Sequence, residues 1–280
     1  YQKFFMTTEE LQACRDGYIY IHDMSARRDT MNCCLFNVKD VLTGGFEMGN
    51  LWYNEPKTLE VAFDVIGDIV LSAASQQYGG FTVPSVDLLL EPFAEKSYEK
   101  YYRRYIDMGL TARIADREAM KDIQKDFDQG FQGWEYKFNT VASSRGDYPF
   151  ITMTFGTGTG KFAKIASITM LHVRRKGQGK KNCKKPVLFP KLVFLYDENL
   201  HGPGKELEDV FEAGILCSSK SMYPDWLSLT GEGYVAEVYK KYGAIISPMG
   251  CRAFLSPWFE RGGMEPADAE DKPVFVGRFN

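Results

Sequence analysis

The segment that defines the fold class is PFITMTFGTGTGK, residues 149–161. Its first half, Pro149–Phe155, has the composition of a strand, and three glycines then lead to Lys161. The residues that follow, Lys161–Arg175, favour a helix. Strand, glycine-rich turn and helix in succession predict an α/β protein with a largely parallel sheet.

The same alternation extends in both directions from this segment. After Pro56, apolar residues recur every three or four positions and predict a helix that ends at Gly79-Gly80. Helices are also predicted at about 88–105, 116–139 and 207–219, and strands at 18–21, 34–36, 187–196 and 243–247. The inner stripe of the helix at 116–139 is predicted to be Met120, Ile123, Phe127, Phe131 and Trp134. No linker or repeat divides the chain, so residues 1–280 are predicted to form a single domain.

Composition excludes several classes of protein. The 280 residues are 44% apolar and 25% charged, as in ordinary globular proteins, and the net charge of -3 argues against nucleic-acid binding. The sequence contains no run of about 18 apolar residues, so no membrane span is predicted. Six cysteines without a CxxC pair, and only three histidines, argue against a disulfide framework and a metal site. A reduced, cytoplasmic protein is expected.

Two segments are candidates for binding phosphate. Backbone N–H groups that open a helix bind anions, which makes Gly156 and Gly158 candidate substrate ligands. Their spacing fits neither the P-loop nor the dinucleotide pattern, and a flexible turn is an equal alternative. The basic stretch from Arg174 to Lys185 is interpreted as a solvated loop in preference to a phosphate clamp.

Two further segments contain cysteines that are candidates for catalysis. In SPMGCR, residues 247–252, a strand runs into Pro248 and Gly250, so Cys251 lies at the tip of a sharp turn. It is either a reactive thiol beside Arg252 or a buried cysteine in a tight turn. In an extended segment, Cys33 and Cys34 point to opposite sides, so only one can face a given site. Either one is catalytic and the other packs, or both pack.

Nine motifs, in order along nearly the whole chain, resemble the anaerobic (class III) ribonucleoside-triphosphate reductases. They are Tyr20–Asp23, Asn32-Cys33, Gly44–Asn50, Tyr78–Gly80, Pro149–Thr152, Phe189–Phe194, Ser219–Asp225, Pro248–Arg252 and Gly277–Asn280. The resemblance implies part of a ten-stranded α/β barrel, made of two parallel five-stranded halves and surrounded by helices. A finger loop crosses the barrel, and Cys251 matches the cysteine at its tip.

The resemblance also implies the chemistry. A Cys251 thiyl radical abstracts the 3′ hydrogen of a ribonucleoside triphosphate. Cys33 then delivers hydrogen to C2′, after the 2′-hydroxyl leaves as water. Cys34 has no implied role.

Further residues match the substrate side of the family's site. Asn32, His22 and Met249 are implied to line it, although Tyr20 stands where relatives often have a second histidine. Asn280 matches the residue that holds formate. Together with Met249, it favours formate over a thioredoxin-like protein as reductant.

The implied cofactor is a glycyl radical on a C-terminal domain, installed by a radical-SAM activating enzyme. Nothing in residues 1–280 resembles that domain, its four-cysteine zinc site or an N-terminal ATP-binding domain, so the fragment is expected to be inactive alone. ATP and deoxynucleoside triphosphates are the implied effectors, and Leu59–Tyr78 matches a homodimer contact. Alternatives are a formate-lyase-like glycyl-radical enzyme, which carries paired cysteines at the finger tip, or a non-catalytic nucleotide-binding or dimerisation module.

Overall fold

A mixed sheet forms the centre of the computed structural model, which describes residues 6–20, 31–77, 79–142, 148–242, 247–248 and 275–279. The strands are β1 (Met31–Phe36), β2 (Phe46–Met48), β3 (Leu51–Tyr53), β4 (Phe81–Val83), β5 (Ile151–Phe155), β6 (Gln178–Lys180), β7 (Cys183–Lys185), β8 (Lys191–Tyr196), β9 (Asp225–Ser228) and β10 (Phe275–Phe279). Six of them pair in the order β10-β1-β4-β5-β8-β9. The pairs from β1 to β9 are parallel, and β10 is antiparallel to β1.

This arrangement confirms an α/β protein with a parallel sheet. The ten-stranded barrel stays a prediction, because the described sheet has six strands. The remaining strands form two hairpins, β2-β3 and β6-β7.

Helices connect the parallel strands. They are α1 (Thr8–Arg15), α2 (Val38–Leu42), α3 (Leu59–Ala74), α4 (Val86–Asp107), α5 (Ala112–Thr140), α6 (Lys161–Lys176), α7 (Glu208–Ser221) and α8 (Tyr234–Tyr242). The four longer helices predicted between residues 56 and 176 are confirmed with ends displaced by a few residues. In the described part of the chain, no helix has the length and apolar character needed to cross a bilayer.

One face of the sheet packs against the helices. Strand alternation places Phe81, Met153 and Phe194 on this face, where they join the main apolar core. The predicted α5 stripe lies in the same core, with Ile123, Phe127, Phe131 and Trp134 buried and Met120 half-buried. The opposite face carries the polar residues of β1, β4 and β5.

The strand predicted at residues 18–21 is wrong for its described part. Gly17, with φ +79°, turns the chain at the end of α1, and the N–H groups of Tyr18 and Ile19 bond back to the Ala13 carbonyl. Tyr18 and Tyr20 are 84% and 86% exposed, and residues 18–20 belong to none of the strands in the described part of the chain. Of the strand predicted at 243–247, only Ser247 lies among the described residues.

The predicted strand at 187–196 begins later than expected, at Lys191. Pro190 has no N–H group for a ladder, and the N–H groups of Leu188 and Phe189 donate to the side chain of Asn139. These three residues therefore form a connection to the strand.

The basic stretch at residues 174–185 is a solvated loop only in part. Arg174 is 1% exposed, and its Nε donates to Glu135 Oε1 at 2.7 Å while its Nη2 donates to the Pro190 carbonyl. This ion pair ties α6 to α5 and to the start of β8. The later lysines of the stretch are exposed on the β6-β7 hairpin.

Candidate functional site

A bulge at Asn32 shapes the first part of the candidate site. In the pairing of β1 with β10, Met31 lies opposite Phe279 and Cys33 opposite Arg278, so Asn32 is one residue extra. A bulge re-aims neighbouring side chains, and here the Asn32 amide comes within reach of the next residue. The Cys33 thiol points at Asn32 Oδ1, at 3.5 Å.

The two cysteines of β1 separate as predicted. Cys34, 2% exposed, joins the apolar core on the helical side of the sheet, and its thiol donates to Gln77 Oε1 at 3.0 Å. Cys33, 6% exposed, lies outside that core cluster. Burial, and next the neighbouring Cys33, raise the pKa of Cys34 to about 12, so Cys34 is a thiol at neutral pH.

The glycine pair before β4 encloses Cys33. The Gly80 N–H group donates to Cys33 Sγ at 3.2 Å. A methyl group on Gly79 would overlap both Asn32 Oδ1 and Cys33 Sγ. The site therefore requires a residue without a side chain at position 79.

A row of buried polar residues continues from Cys33 across the same face. The register of the parallel strands places Thr82 beside Thr152, and Thr154 follows two residues later. All three are almost fully buried. A buried polar face is unusual in a parallel sheet, whose faces are both ordinarily apolar, so this row marks a candidate site.

The segment that leads to Cys251 starts on this row. Thr154 Oγ1 and Ser247 Oγ are 2.8 Å apart, and Thr154 Oγ1 also accepts the Ser85 N–H at 2.9 Å. Ser247 and Pro248 are buried. The turn predicted in SPMGCR thus begins at the face on which Cys33 lies.

The glycine-rich turn binds an internal carboxylate. The N–H groups of Gly156 and Gly158 donate to Asp87 Oδ2, at 2.9 and 3.0 Å, from the first turn of α4. Burial raises the pKa of Asp87 above its ordinary value of 3.8, against the opposing effect of these two hydrogen bonds. Because the donors that would bind a phosphate are already used, the geometry counts against the phosphate role predicted for Gly156 and Gly158.

His201 extends this network and was not predicted as a site residue. The Asp197 N–H donates to His201 Nδ1 at 3.0 Å, so Nε2 carries the hydrogen and donates to the Gly156 carbonyl at 2.7 Å. Burial lowers the pKa of His201 below its ordinary value. Its position just after β8, at the carboxyl end of a parallel strand, is the one sequence feature that points to it.

The other predicted site residues, Cys251, Met249, His22 and Asn280, lie outside the described residues, and their roles stay predictions. Among the residues that the structure does describe, no group of three or more His, Cys, Asp or Glu side chains is arranged to hold a metal ion.

Comparison with known proteins identifies the family. The family model described as anaerobic ribonucleoside-triphosphate reductase matches residues 1–280. The chain belongs to the anaerobic ribonucleoside-triphosphate reductase family. The relative from Enterobacteria phage T4 is 35% identical over 265 residues, which cover 93% of this chain and 42% of the relative. The relative from Escherichia coli (strain K12) is 33% identical, over 96% of this chain and 37% of its own length. The chain thus spans about two fifths of the length of these reductases.

Solved structures share the fold. The anaerobic ribonucleotide reductase from Thermotoga maritima with citrate in the active site superposes with a TM-score of 0.57 at 16% identity, over 84% of this chain and 43% of that chain. The same enzyme in complex with dATP and CTP gives a TM-score of 0.53, over 79% and 36%. At this identity the likeness concerns the fold alone, and it agrees with the parallel sheet and helices described above.

Proposed function

We propose that the protein containing this chain reduces ribonucleoside triphosphates to 2′-deoxyribonucleoside triphosphates by radical chemistry under anaerobic conditions. In this proposal a Cys251 thiyl radical abstracts the 3′ hydrogen, the 2′-hydroxyl leaves as water, and Cys33 donates a hydrogen atom to C2′. With formate as reductant, each turnover converts the ribonucleotide, formate and one proton to the deoxyribonucleotide, carbon dioxide and water, and the oxygen of that water comes from the 2′-hydroxyl.

The observation that carries the proposal is the position of Cys33. Its thiol is buried on the polar face of the sheet, next to Asn32, and the segment leading to Cys251 starts at Thr154 on that face. Hydrogen transfer between sulfur and carbon needs reacting atoms about 3–3.5 Å apart in a site that excludes water. A buried polar face supports this requirement, since it offers hydrogen-bond partners to a ribose without bulk solvent.

Several parts of the proposal involve residues or molecules beyond the described structure. Met249 and Asn280 are proposed to hold formate, and His22 to line the nucleotide. A glycyl radical elsewhere in the longer protein supplies the oxidising equivalent that converts the Cys251 thiol to a thiyl radical, and a radical-SAM enzyme installs it. We further propose a cytoplasmic homodimer, regulated by ATP and deoxynucleoside triphosphates.

The proposed architecture is half of a ten-stranded barrel. One half would consist of the five parallel strands β1, β4, β5, β8 and β9. β10 would be the first strand of the other half. The antiparallel direction of β10 relative to β1 supports this assignment.

The proposal is tested on the activated full-length protein under anaerobic conditions, with deoxynucleotide formation as the readout. We expect Cys33→Ala and Cys251→Ala to abolish reduction while nucleotide binding persists. Cys183→Ala is the matched control, because Cys183 is exposed on the β6-β7 hairpin, and it should retain activity. Reduction by either active-site variant would refute the assigned roles, and a wild-type protein that binds nucleotides without reducing them would favour a non-catalytic module.

A further inference from the structure

The side chain of Gln77 connects Cys34 to the glycine pair before β4. Its Nε2 donates to the carbonyl oxygens of Gly79 and Gly80, at 3.1 and 2.8 Å, and its Oε1 accepts from the Cys34 thiol at 3.0 Å. Gln77 is 4% exposed, so bulk water does not compete for these bonds. One buried amide thus holds both glycine peptides in place.

The glycine pair in turn sets the geometry of Cys33. The Gly80 N–H group donates to Cys33 Sγ at 3.2 Å, and the absence of a side chain at Gly79 lets the sulfur approach. The lone pair of Cys33 Sγ that accepts this hydrogen bond points towards the Gly80 N–H group, so the S–H bond of Cys33 must point in another direction. The thiol hydrogen is therefore directed elsewhere, towards Asn32 Oδ1.

We propose that Gln77 is a positioning residue for Cys33, and that the Cys34 thiol holds Gln77 in the required orientation. This inference rests on the proposed function, in which Cys33 gives its hydrogen to the nucleotide. Because Gln77 acts through the glycine peptides, its loss displaces Cys33 and slows the chemical step. Nucleotide binding does not depend on it.

The Cys34 thiol suits this role. Its burial and raised pKa keep it protonated at neutral pH, so it remains an S–H donor to the Gln77 carbonyl oxygen. This hydrogen bond explains why position 34 holds a cysteine and not an aliphatic residue, although the position lies in the apolar core.

The first test is Gln77→Met in the activated full-length enzyme. Methionine has a similar length but no amide, and we expect kcat to fall about 10- to 100-fold with KM changed by less than about two-fold. Gln76→Met is the matched control, since the neighbouring Gln76 is exposed and its amide donates to Ser72 in α3. A Gln77→Met enzyme with wild-type kcat, or a loss explained by a smaller folded fraction, overturns the inference.

A second test is spectroscopic. Infrared S–H stretching bands report hydrogen bonding of thiols, and Cys34→Ser identifies the Cys34 band by removing it. In Gln77→Met this band should shift to higher frequency, because the thiol loses its acceptor. An unshifted band contradicts the contact.

Two substitutions of Cys34 test whether kcat depends on a hydrogen-bond donor at this position. Cys34→Ser keeps a hydroxyl donor and should retain kcat within about three-fold, whereas Cys34→Ala, which has no donor, should lose more. Equal kcat values for the two variants, each corrected for folded fraction, overturn the role of Cys34.

Cys33→Ala separates this inference from the proposed function. If Cys33→Ala still forms deoxynucleotide, the proposed function is wrong, and the positioning role is wrong with it. If Cys33→Ala is inactive while Gln77→Met has wild-type kcat, only the positioning role is wrong.

Discussion

Among single residues, Gly79 is constrained by the space around it. A methyl group there would overlap side-chain atoms of Asn32 and Cys33. Overlap with two buried groups on a paired strand cannot be relieved by the rotation of an exposed side chain. The glycine is therefore part of the wall around the candidate catalytic thiol.

We expect Gly79→Ala to lower the free energy of unfolding by about 1–3 kcal/mol, as overpacking of a core does. Displacement of Cys33 should also make this thiol more accessible. Urea unfolding and the rate of Cys33 alkylation, followed by mass spectrometry under native conditions, measure the two effects. Unchanged stability and alkylation would mean that the strand moves aside without cost.

Asp87 is a second single residue with a defined electrostatic role. Its Oδ2 accepts two backbone N–H groups, whereas its buried Oδ1 has no hydrogen-bond partner among the described residues. Since the pKa of this carboxyl is raised in the folded protein, the folded state binds the proton more tightly than the unfolded state does. Its contribution to stability is full below the ordinary pKa of 3.8 and declines as the pH rises through the folded pKa.

Asp87→Asn keeps an acceptor for the two N–H groups and removes this pH dependence. We expect the variant to gain stability relative to the wild type as the pH rises from about 4 towards neutrality, measured by urea unfolding at several pH values. Asp87→Ala, which leaves both N–H groups without an acceptor, should cost about 1–3 kcal/mol throughout. A relative stability of Asp87→Asn that falls with rising pH would contradict the assigned cause.

At the scale of elements, α3 and α5 pack closely because α5 carries glycine at the contact. A methyl group on Gly130 would overlap the Phe63 ring, which packs in T-shaped contacts with Phe131 and Trp134. Trp134 Nε1 also donates to the Phe63 carbonyl at 2.8 Å. This aromatic cluster fixes how the two helices lie against each other.

Two substitutions in α5 test this packing. Gly130→Ala should lower the free energy of unfolding by about 1–3 kcal/mol, because the Phe63 ring must move. Gly133→Ala, one turn further along the same helix and facing open space, should instead raise it by up to about 1 kcal/mol, as expected for alanine in a helix. Thermal or urea unfolding distinguishes them, and similar effects of both would show that the helices separate readily.

Sequence reasoning succeeded where a pattern is local. The helical periodicity of α3 and α5 and the opposite directions of Cys33 and Cys34 each follow from a repeat of a few residues. It failed where the decisive partner is remote in sequence. Asp87 reaches the Gly156 turn from about 70 residues away, and Arg174 is buried because Glu135 lies on another helix. Neither pairing leaves a trace in the spacing of the glycines or the basic residues.

For the whole molecule, the proposed reacting cysteines lie within residues 1–280, whereas the proposed glycyl radical lies outside them. This separation yields a direct prediction. Residues 1–280 contain the proposed hydrogen-donating and hydrogen-abstracting cysteines, but no segment that resembles a glycyl-radical loop. We therefore expect this polypeptide alone to form no deoxynucleotide from ribonucleoside triphosphate and formate, even with the activating enzyme present. Turnover by residues 1–280 in an anaerobic assay would contradict this, and the full-length protein is the positive control.

The antiparallel neighbour of β1 has a consequence for biosynthesis. Cys33 pairs across the ladder with Arg278, roughly 240 residues later in the chain. At about 5–20 residues per second, a ribosome needs roughly 10–50 seconds to add them. During that interval the outer edge of β1 lacks its final hydrogen-bonding partner, and an open strand edge invites association with other nascent chains. The dependence of the newly made chain on chaperones should therefore be greatest in the period before residue 279 emerges from the ribosome.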